Sequence, residues 1–265
     1  MEHVIQKSVQ LRDGALLTIE VHGEPNGPTL VVVPGAMSDA RAWRQVAQAV
    51  TAWPTVAVIN RRGRAPSSAL PADYSLREEV EDVAEAVEHF STVGTVFGWS
   101  FGGLISLSLA ISRPLPHVIA YDPIMRGFAA EQLPALAAAD AAGDRDRTVE
   151  IVCGQISDMS PEQIAALRVD AAGWETMRRL STSVLAETAA INEAEVPEQF
   201  ASLAGRVDLI VGGMHRGLPP YGTSFDDVRV RTPQAAVHEL TGHGHMAHLE
   251  DPEGLAAVVD SLAAR

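Results

Sequence analysis

The chain of 265 residues holds a single cysteine, Cys153. One thiol cannot form an internal disulfide, and it excludes a metal site built on several thiolates. Cys153 itself reads as a small buried side chain, since no base stands near it in sequence. Long apolar runs are also missing. No stretch approaches the ~20 residues needed to span a bilayer, and MEHVIQKSVQ at the start lacks the apolar core of a signal peptide. A cytoplasmic protein without a membrane partner is expected. Positive charge is scarce as well: 20 Lys and Arg stand against 34 Asp and Glu, for a formal net charge of −14. Such a surface repels phosphate backbones, so nucleic acid is not expected as a partner.

What is present suits a folded domain. With 46% hydrophobic and 20% charged residues, a sizeable core can be buried, and the length fits one large domain carrying an insertion. Short runs rich in Val, Ile and Leu recur between helical stretches, the pattern of parallel strands joined by crossover helices. They are Thr29–Val33, Thr55–Ile59, Thr95–Gly98, His117–Tyr121, Val207–Val211 and Ala235–Leu240. Ahead of them Val4–Gln10 and Ala15–His22 flank the turn signal Asp13-Gly14, which predicts an antiparallel first pair and eight strands in all. Ser75 to Glu78 has capping-box spacing and opens a helix to about Phe90, with Val80, Val83, Ala84 and Val87 on one face. Asp251-Pro252 opens a last helix to about Ala264. Residues 127–205 are alanine-rich, with helix starts at Ser160-Pro161 and Val196-Pro197 and no convincing strand. They read as a helical cap inserted into a core made of residues 1–126 and 206–265.

Three segments carry chemistry. Gly98-Trp99-Ser100-Phe101-Gly102-Gly103 follows an apolar strand and opens a helix from Leu104 to Ser112. This is the G-x-S-x-G elbow in its strand-turn-helix context. The turn forces the serine into a strained backbone, and only small residues at Gly98 and Gly102 let strand and helix pass. The helix behind it aims free N–H groups at a developing oxyanion. Near the end, Gly242-His243-Gly244-His245-Met246-Ala247-His248 stands between the eighth strand and the last helix, where a general base is expected, and His245 fits that role best. A metal site on His243, His245 and His248 would lack an interleaved Asp and leave Ser100 without a partner. Third, Val33-Pro34-Gly35-Ala36-Met37 closes the third strand. Its glycine turn lets the amide of Ala36, with that of Phe101, form an oxyanion hole.

Together these residues resemble the α/β-hydrolase superfamily over nearly the whole chain. Pro34-Gly35, Arg61-Arg62-Gly63-Arg64, Tyr74 with Asp82, Gly98 to Gly103, and Gly244-His245 with Glu250 and Pro252 carry the resemblance. More closely, the chain is similar to capped hydrolases common in actinobacteria and to lactone hydrolases of the zearalenone-degrading type. It departs from the usual pattern in three places. Pro34 stands where many members carry His, and Asn60 replaces the usual Asp before Arg-x-Gly. Most important, Val211-Gly212-Gly213-Met214-His215-Arg216-Gly217 has no carboxylate where the acid most often stands.

A triad still needs an acid to orient His245. Asp122 ends the sixth apolar run and precedes Pro123, at the sheet edge where such groups gather. Asp208 falls inside the seventh strand, while Asp226 and Asp227 lie well beyond it. The resemblance implies ester, lactone or thioester cleavage without fixing a substrate; a serine hydrolase acting through an acyl-enzyme on an ester or lactone of a moderately apolar small molecule, with no cofactor and no metal, is expected. Serine at position 100 argues against dehalogenase and epoxide hydrolase chemistry. Trp174 and Met177, with Leu180 and Leu185, are candidates to line an apolar pocket, joined by Met37, Trp99 and Met246. Acyl transfer, thioester cleavage and cyclase or lyase chemistry use the same triad. A ligand-binding protein that has lost turnover is the rival from another class. Either a monomer or a homodimer is compatible with the sequence.

Overall fold

A computed structural model describes residues 4–24 and 26–263. The strands are β1 (Ile5–Gln10), β2 (Leu16–Gly23), β3 (Thr29–Val33), β4 (Thr55–Asn60), β5 (Val93–Trp99), β6 (Leu115–Tyr121), β7 (Ala204–Gly212) and β8 (Ala236–Leu240). They form one sheet in the order β1-β2-β4-β3-β5-β6-β7-β8. β2 runs antiparallel to both β1 and β4, and every other pair is parallel. The expected eight-stranded, mostly parallel sheet is therefore present. The first pair can be antiparallel because a tight turn joins it: Asp13 accepts the Ala15 amide at 2.9 Å, and Gly14 sits at φ 85°. Parallel neighbours need crossovers, which the helices supply.

Those helices are α1 (Arg44–Ala49), α2 (Leu76–Glu88), α3 (Phe101–Ser112), α4 (Leu133–Ala141), α5 (Arg145–Glu150), α6 (Pro161–Val169), α7 (Ala171–Leu180), α8 (Val184–Glu193), α9 (Tyr221–Val230), α10 (Ala247–Glu250) and α11 (Pro252–Ser261). Val83 and Ala84 of α2, most of α3, and Phe225 and Val228 of α9 pack on one face of the sheet. Trp43, α1 and α11 cover the other. With both faces covered, every residue of β3 and β4 is buried. Helix α3 is apolar almost all round, as a helix enclosed by its neighbours must be. Among the described residues, β6 and β7 are separated by α4 to α8 with no strand between them, and no helix is long and apolar enough to cross a membrane.

Local signals fixed most ends. Ser75 accepts the Glu78 amide to start α2, and Ser160 with Gln163 forms a full capping box ahead of α6. α2 stops at Glu88 rather than Phe90, because the amides of His89 and Phe90 turn back to Ala86 and Val87 in a tighter turn. α11 ends at Ser261, and Ala264 lies outside the described residues. β7 begins at Ala204, two residues inside the expected insertion. The expected helix at Val196-Pro197 does not form. There the amides of Phe200, Ala201 and Leu203 donate to carbonyls of Arg231, Leu107 and Ala110, and this tethering along α3 and α9 replaces an internal helical ladder. Cys153 is buried beside Val149 and Trp174, and burial pushes its thiol up.

Asp208, inside β7 as its sequence position implied, binds three strands together. It accepts from His117 of β6 and His238 of β8, each at 2.7 Å, and pairs with Arg206 at 2.7 Å. Burial alone would raise its carboxyl, but these donors bring it down to about 2, from an ordinary 3.8. A folded carboxyl that ionises below its unfolded value stabilises fully above about pH 4 and loses that contribution as pH falls toward 2. Asp208→Asn should therefore cost about 3 kcal/mol at neutral pH and flatten the loss of stability in that acid window. Urea midpoints across the window check this; a variant as stable as wild type at neutral pH would contradict it.

Candidate active site

Four strands deliver their carboxyl ends to one place: β3 the Pro34–Met37 loop, β5 Ser100, β6 Asp122, and β8 the loop carrying His245. Ser100 caps α3 at φ 57°, ψ −120°. Met37 (φ 51°) and Asp122 (φ 41°) share the left-handed region, a clustering of backbone strain typical of working sites. The elbow is held from both sides. Ser100 donates its amide to the Tyr121 carbonyl at 2.9 Å, and its own carbonyl accepts from Gly103 and Leu104. A Cβ on Gly102 would stand 1.9 Å from the Val33 carbonyl oxygen, and one on Gly98 2.2 Å from that of Gly102. Strand and helix pass this closely only without side chains there.

Asp122 is fully buried and divides its carboxylate between two donors. Oδ1 accepts the Gly212 amide at 2.8 Å, and Oδ2 faces His245 Nδ1 at 3.2 Å. A carboxylate only accepts, so Nδ1 carries the proton and Nε2 is left free to take one. The glycine of β7, where an acid was expected and missing, thus supports the acid of β6. The His245 loop is pinned by Trp99, whose Nε1 donates to the His245 carbonyl at 2.8 Å, and by the Tyr121 hydroxyl, which donates to the Gly244 carbonyl. Burial holds His245 below the ordinary histidine value. Asp122 pulls the other way and His215 adds to the depression. Ser100 and His245 keep only 5% and 4% of their surface exposed, so the site is nearly closed. The Phe101 amide lies in the first turn of α3, where N–H groups have no intrahelical acceptor.

Residues 30–258 match the alpha/beta hydrolase family. The chain belongs to that family. Along its length it is similar to the magnesium-chelatase 30 kDa subunit of Rhodobacter capsulatus, with 26% identity over 260 residues, covering 89% of this chain and 87% of that protein. Among solved structures it is similar to an alpha/beta hydrolase from Sphaerobacter thermophilus DSM 20745 (TM-score 0.78, 23% identity, 96% of this chain and 99% of that one). It also resembles the enol-lactonase from Burkholderia xenovorans LB400 (TM-score 0.72, 18% identity, 96% and 98%). At these identities the structures establish the fold.

Within this family frame the three histidines separate. His243 pairs with Asp251 at 3.1 Å. His248 is buried and stacks on Trp43 at 4.6 Å; burial, with His245 nearby, pushes it down to about 3. Among the described residues no group of three His, Cys, Asp or Glu side chains is placed to hold a metal ion. Of the expected lining residues, Met37, Trp174 and Met177 meet in one cluster with Cys153. The Trp174 indole also donates to Asp146 at 2.6 Å. Leu180 is buried, and Leu185 packs with Met37 beside α4 and α8. Trp99 is buried beneath His245 rather than open to a ligand, and Met246 is exposed. Asn60 keeps a structural task, accepting the Ala40 amide at 2.8 Å. Arg216 pairs with Glu239 on the surface, while the His215 ring lies against Gly244 and Tyr221.

Sequence reasoning missed Tyr221. Its ring stacks on His245 at 3.7 Å and 15°, and its hydroxyl meets Ser157 Oγ at 2.9 Å. Burial pushes the phenol up to about 12, so it stays protonated. A Tyr 24 residues before a His, on a different element, carries no local signal of this contact.

The Gly212 contact is directly testable. A Cβ there would stand 2.9 Å from the Gly244 carbonyl and 3.1 Å from Asp122 Oδ2. Gly212→Ala should push acid and base apart, and the low-field proton resonance of the His245 Nδ1–H should move upfield or broaden away in NMR. An unchanged resonance in a folded variant would show that the glycine is not what the pair depends on.

Proposed function

We propose that the chain is a serine hydrolase that opens an ester or lactone of a moderately apolar small molecule through an acyl-enzyme on Ser100. One observation carries this reading: a buried serine strained into the elbow conformation stands at the same end of the sheet as a buried imidazole whose Nδ1 is turned toward a buried carboxylate. His245 Nε2 takes the Ser100 hydroxyl proton as Oγ attacks the carbonyl, and returns it to the leaving alkoxide. Asp122 keeps the tautomer and stabilises the imidazolium; its partners include no Arg or Lys among the described residues. The amides of Ala36 and Phe101 receive the oxyanion. Water then attacks the acyl group with His245 again as base. Residues 127–205 serve as the cap over the site, and the Met37, Trp174 and Met177 cluster gives it an apolar wall.

A p-nitrophenyl ester series tests the assignment. Ser100→Ala should lose on the order of 10⁶ in kcat, and Asp122→Asn up to ~10⁴, both at unchanged thermal stability. More than about a tenth of wild-type turnover in Ser100→Ala would remove the proposal.

The pH profile gives a second check. His245 works as a neutral base, so kcat/KM falls as acid protonates it. Its depressed value places that limb below the ordinary ~6.5. An acid limb centred above about 7 would contradict the buried base described here.

A further inference from the structure

The Ala36 amide can serve an oxyanion only if the Gly35–Ala36 peptide is turned the right way, and the loop itself has few means to turn it. Two buried arginines do so. Arg61 Nη2 donates to the Gly35 carbonyl at 2.9 Å and Arg64 Nη2 to the same oxygen at 3.3 Å. Arg61 Nε also holds the Pro34 carbonyl at 2.8 Å, and Arg64 Nε the Ser38 carbonyl at 3.2 Å. In a trans peptide C=O and N–H point in opposite directions, and Gly35–Ala36 is not among the cis bonds of the described residues. Fixing the carbonyl on the guanidinium side therefore aims the Ala36 N–H the other way. Gly35 itself abuts the nucleophile, since a Cβ built on it would lie 2.8 Å from Ser100 Cβ. A cation on the carbonyl also polarises the peptide and makes its N–H a better donor. The Arg61 guanidinium lies 5.0 Å over the Phe101 ring, so one side chain touches Phe101 and the carbonyl of the Gly35–Ala36 peptide.

The arginines are held in turn by a carboxylate from the far side of the site. Glu187 of α8 is fully buried and accepts from Arg61 at 2.9 Å and from Arg64. Glu79 of α2 takes the remaining Arg61 nitrogen, and the Tyr74 hydroxyl donates to it at 2.6 Å. Burial opposes ionisation of Glu187, yet the two arginines hold its carboxyl below the ordinary range. All four charged groups are within 1% of full burial. A neutral set of two cations and two anions thus runs from the α4–α8 layer to the β3 loop.

We infer that Arg61, Arg64 and Glu187 are positioning residues that set the oxyanion loop, and that Glu187 makes this setting depend on the seated α4–α8 layer. The inference rests on the hydrolase reading above. The experiment compares Glu187→Gln, Arg64→Lys and the charge-balanced pair Arg64→Met with Glu187→Met, using p-nitrophenyl butyrate turnover, melting temperature and inhibition by phenylboronic acid. The boronate forms a tetrahedral adduct on serine and senses the oxyanion hole. Each folded variant should lose about 10- to 100-fold in kcat with KM within about threefold, and the boronate inhibition constant should rise in parallel with the loss in kcat/KM. If one variant fails to fold, the charge-conserving Arg64→Lys decides alone. Any folded variant with kcat within about threefold of wild type, or with an unchanged boronate constant, overturns the inference. The two readings fail differently: wild type inert toward the ester, or active after Ser100→Ala, removes the hydrolase itself, whereas normal turnover in the clasp variants removes only the clasp.

Discussion

A fully buried carboxylate held by one amide and one imidazole governs this structure. Asp122 has the Gly212 amide on one oxygen and His245 Nδ1 on the other. Asp208, four residues before Gly212 in β7, has two histidines and an arginine, which bring it down to about 2. The contrast separates a carboxylate held by three cationic or imidazole donors from one held by an amide and a single imidazole. Asp208 is already compensated and gains nothing from a new charge. Asp122 gains most when His245 becomes cationic, which is the moment at which a triad needs it. Its position after β6 sets its surroundings: β7 ends beside it in Gly212, whose amide it accepts and where a Cβ would crowd it.

Buried charge is costly unless it is paired and hydrogen-bonded. The protein concentrates such charge in the Arg61, Arg64, Glu79 and Glu187 set, directly behind the β3 loop. Hydrophobic side chains of similar volume could fill that space, often without loss of stability. They could not grip the carbonyls of Pro34, Gly35 and Ser38. The arrangement is better understood as geometry maintained at some cost than as a source of stability. Tyr221 and Trp99 apply the same logic to His245, enclosing the imidazole between rings that limit its movement and keep water from its faces.

Much of this was legible in the residues. The sheet was readable because parallel strands buried on both faces appear as short unbroken Val and Ile runs. The elbow and the position of His245 between β8 and the last helices were readable because steric and capping demands act within a few residues. The place of Asp122 just past the end of β6 was readable from the apolar run before it. The parts that stayed hidden depend on distant partners. Arg61 and Glu187 are 126 residues apart, and nothing local marks either as the other's counter-ion. Val196-Pro197 carries a helix-start signal that three tertiary hydrogen bonds override. The stacking of His248 on Trp43 likewise joins residues 205 positions apart.

The central claim is that Ser100, activated by His245 and Asp122, forms a covalent acyl-enzyme. The most direct measurement is intact-mass spectrometry of the protein after a fluorophosphonate and, separately, during rapid-quench turnover of a p-nitrophenyl ester, with peptide mapping of any adduct. The account predicts one phosphonyl or acyl group per chain, located on Ser100. Turnover with no adduct at any quench time, or an adduct on another residue, would contradict it.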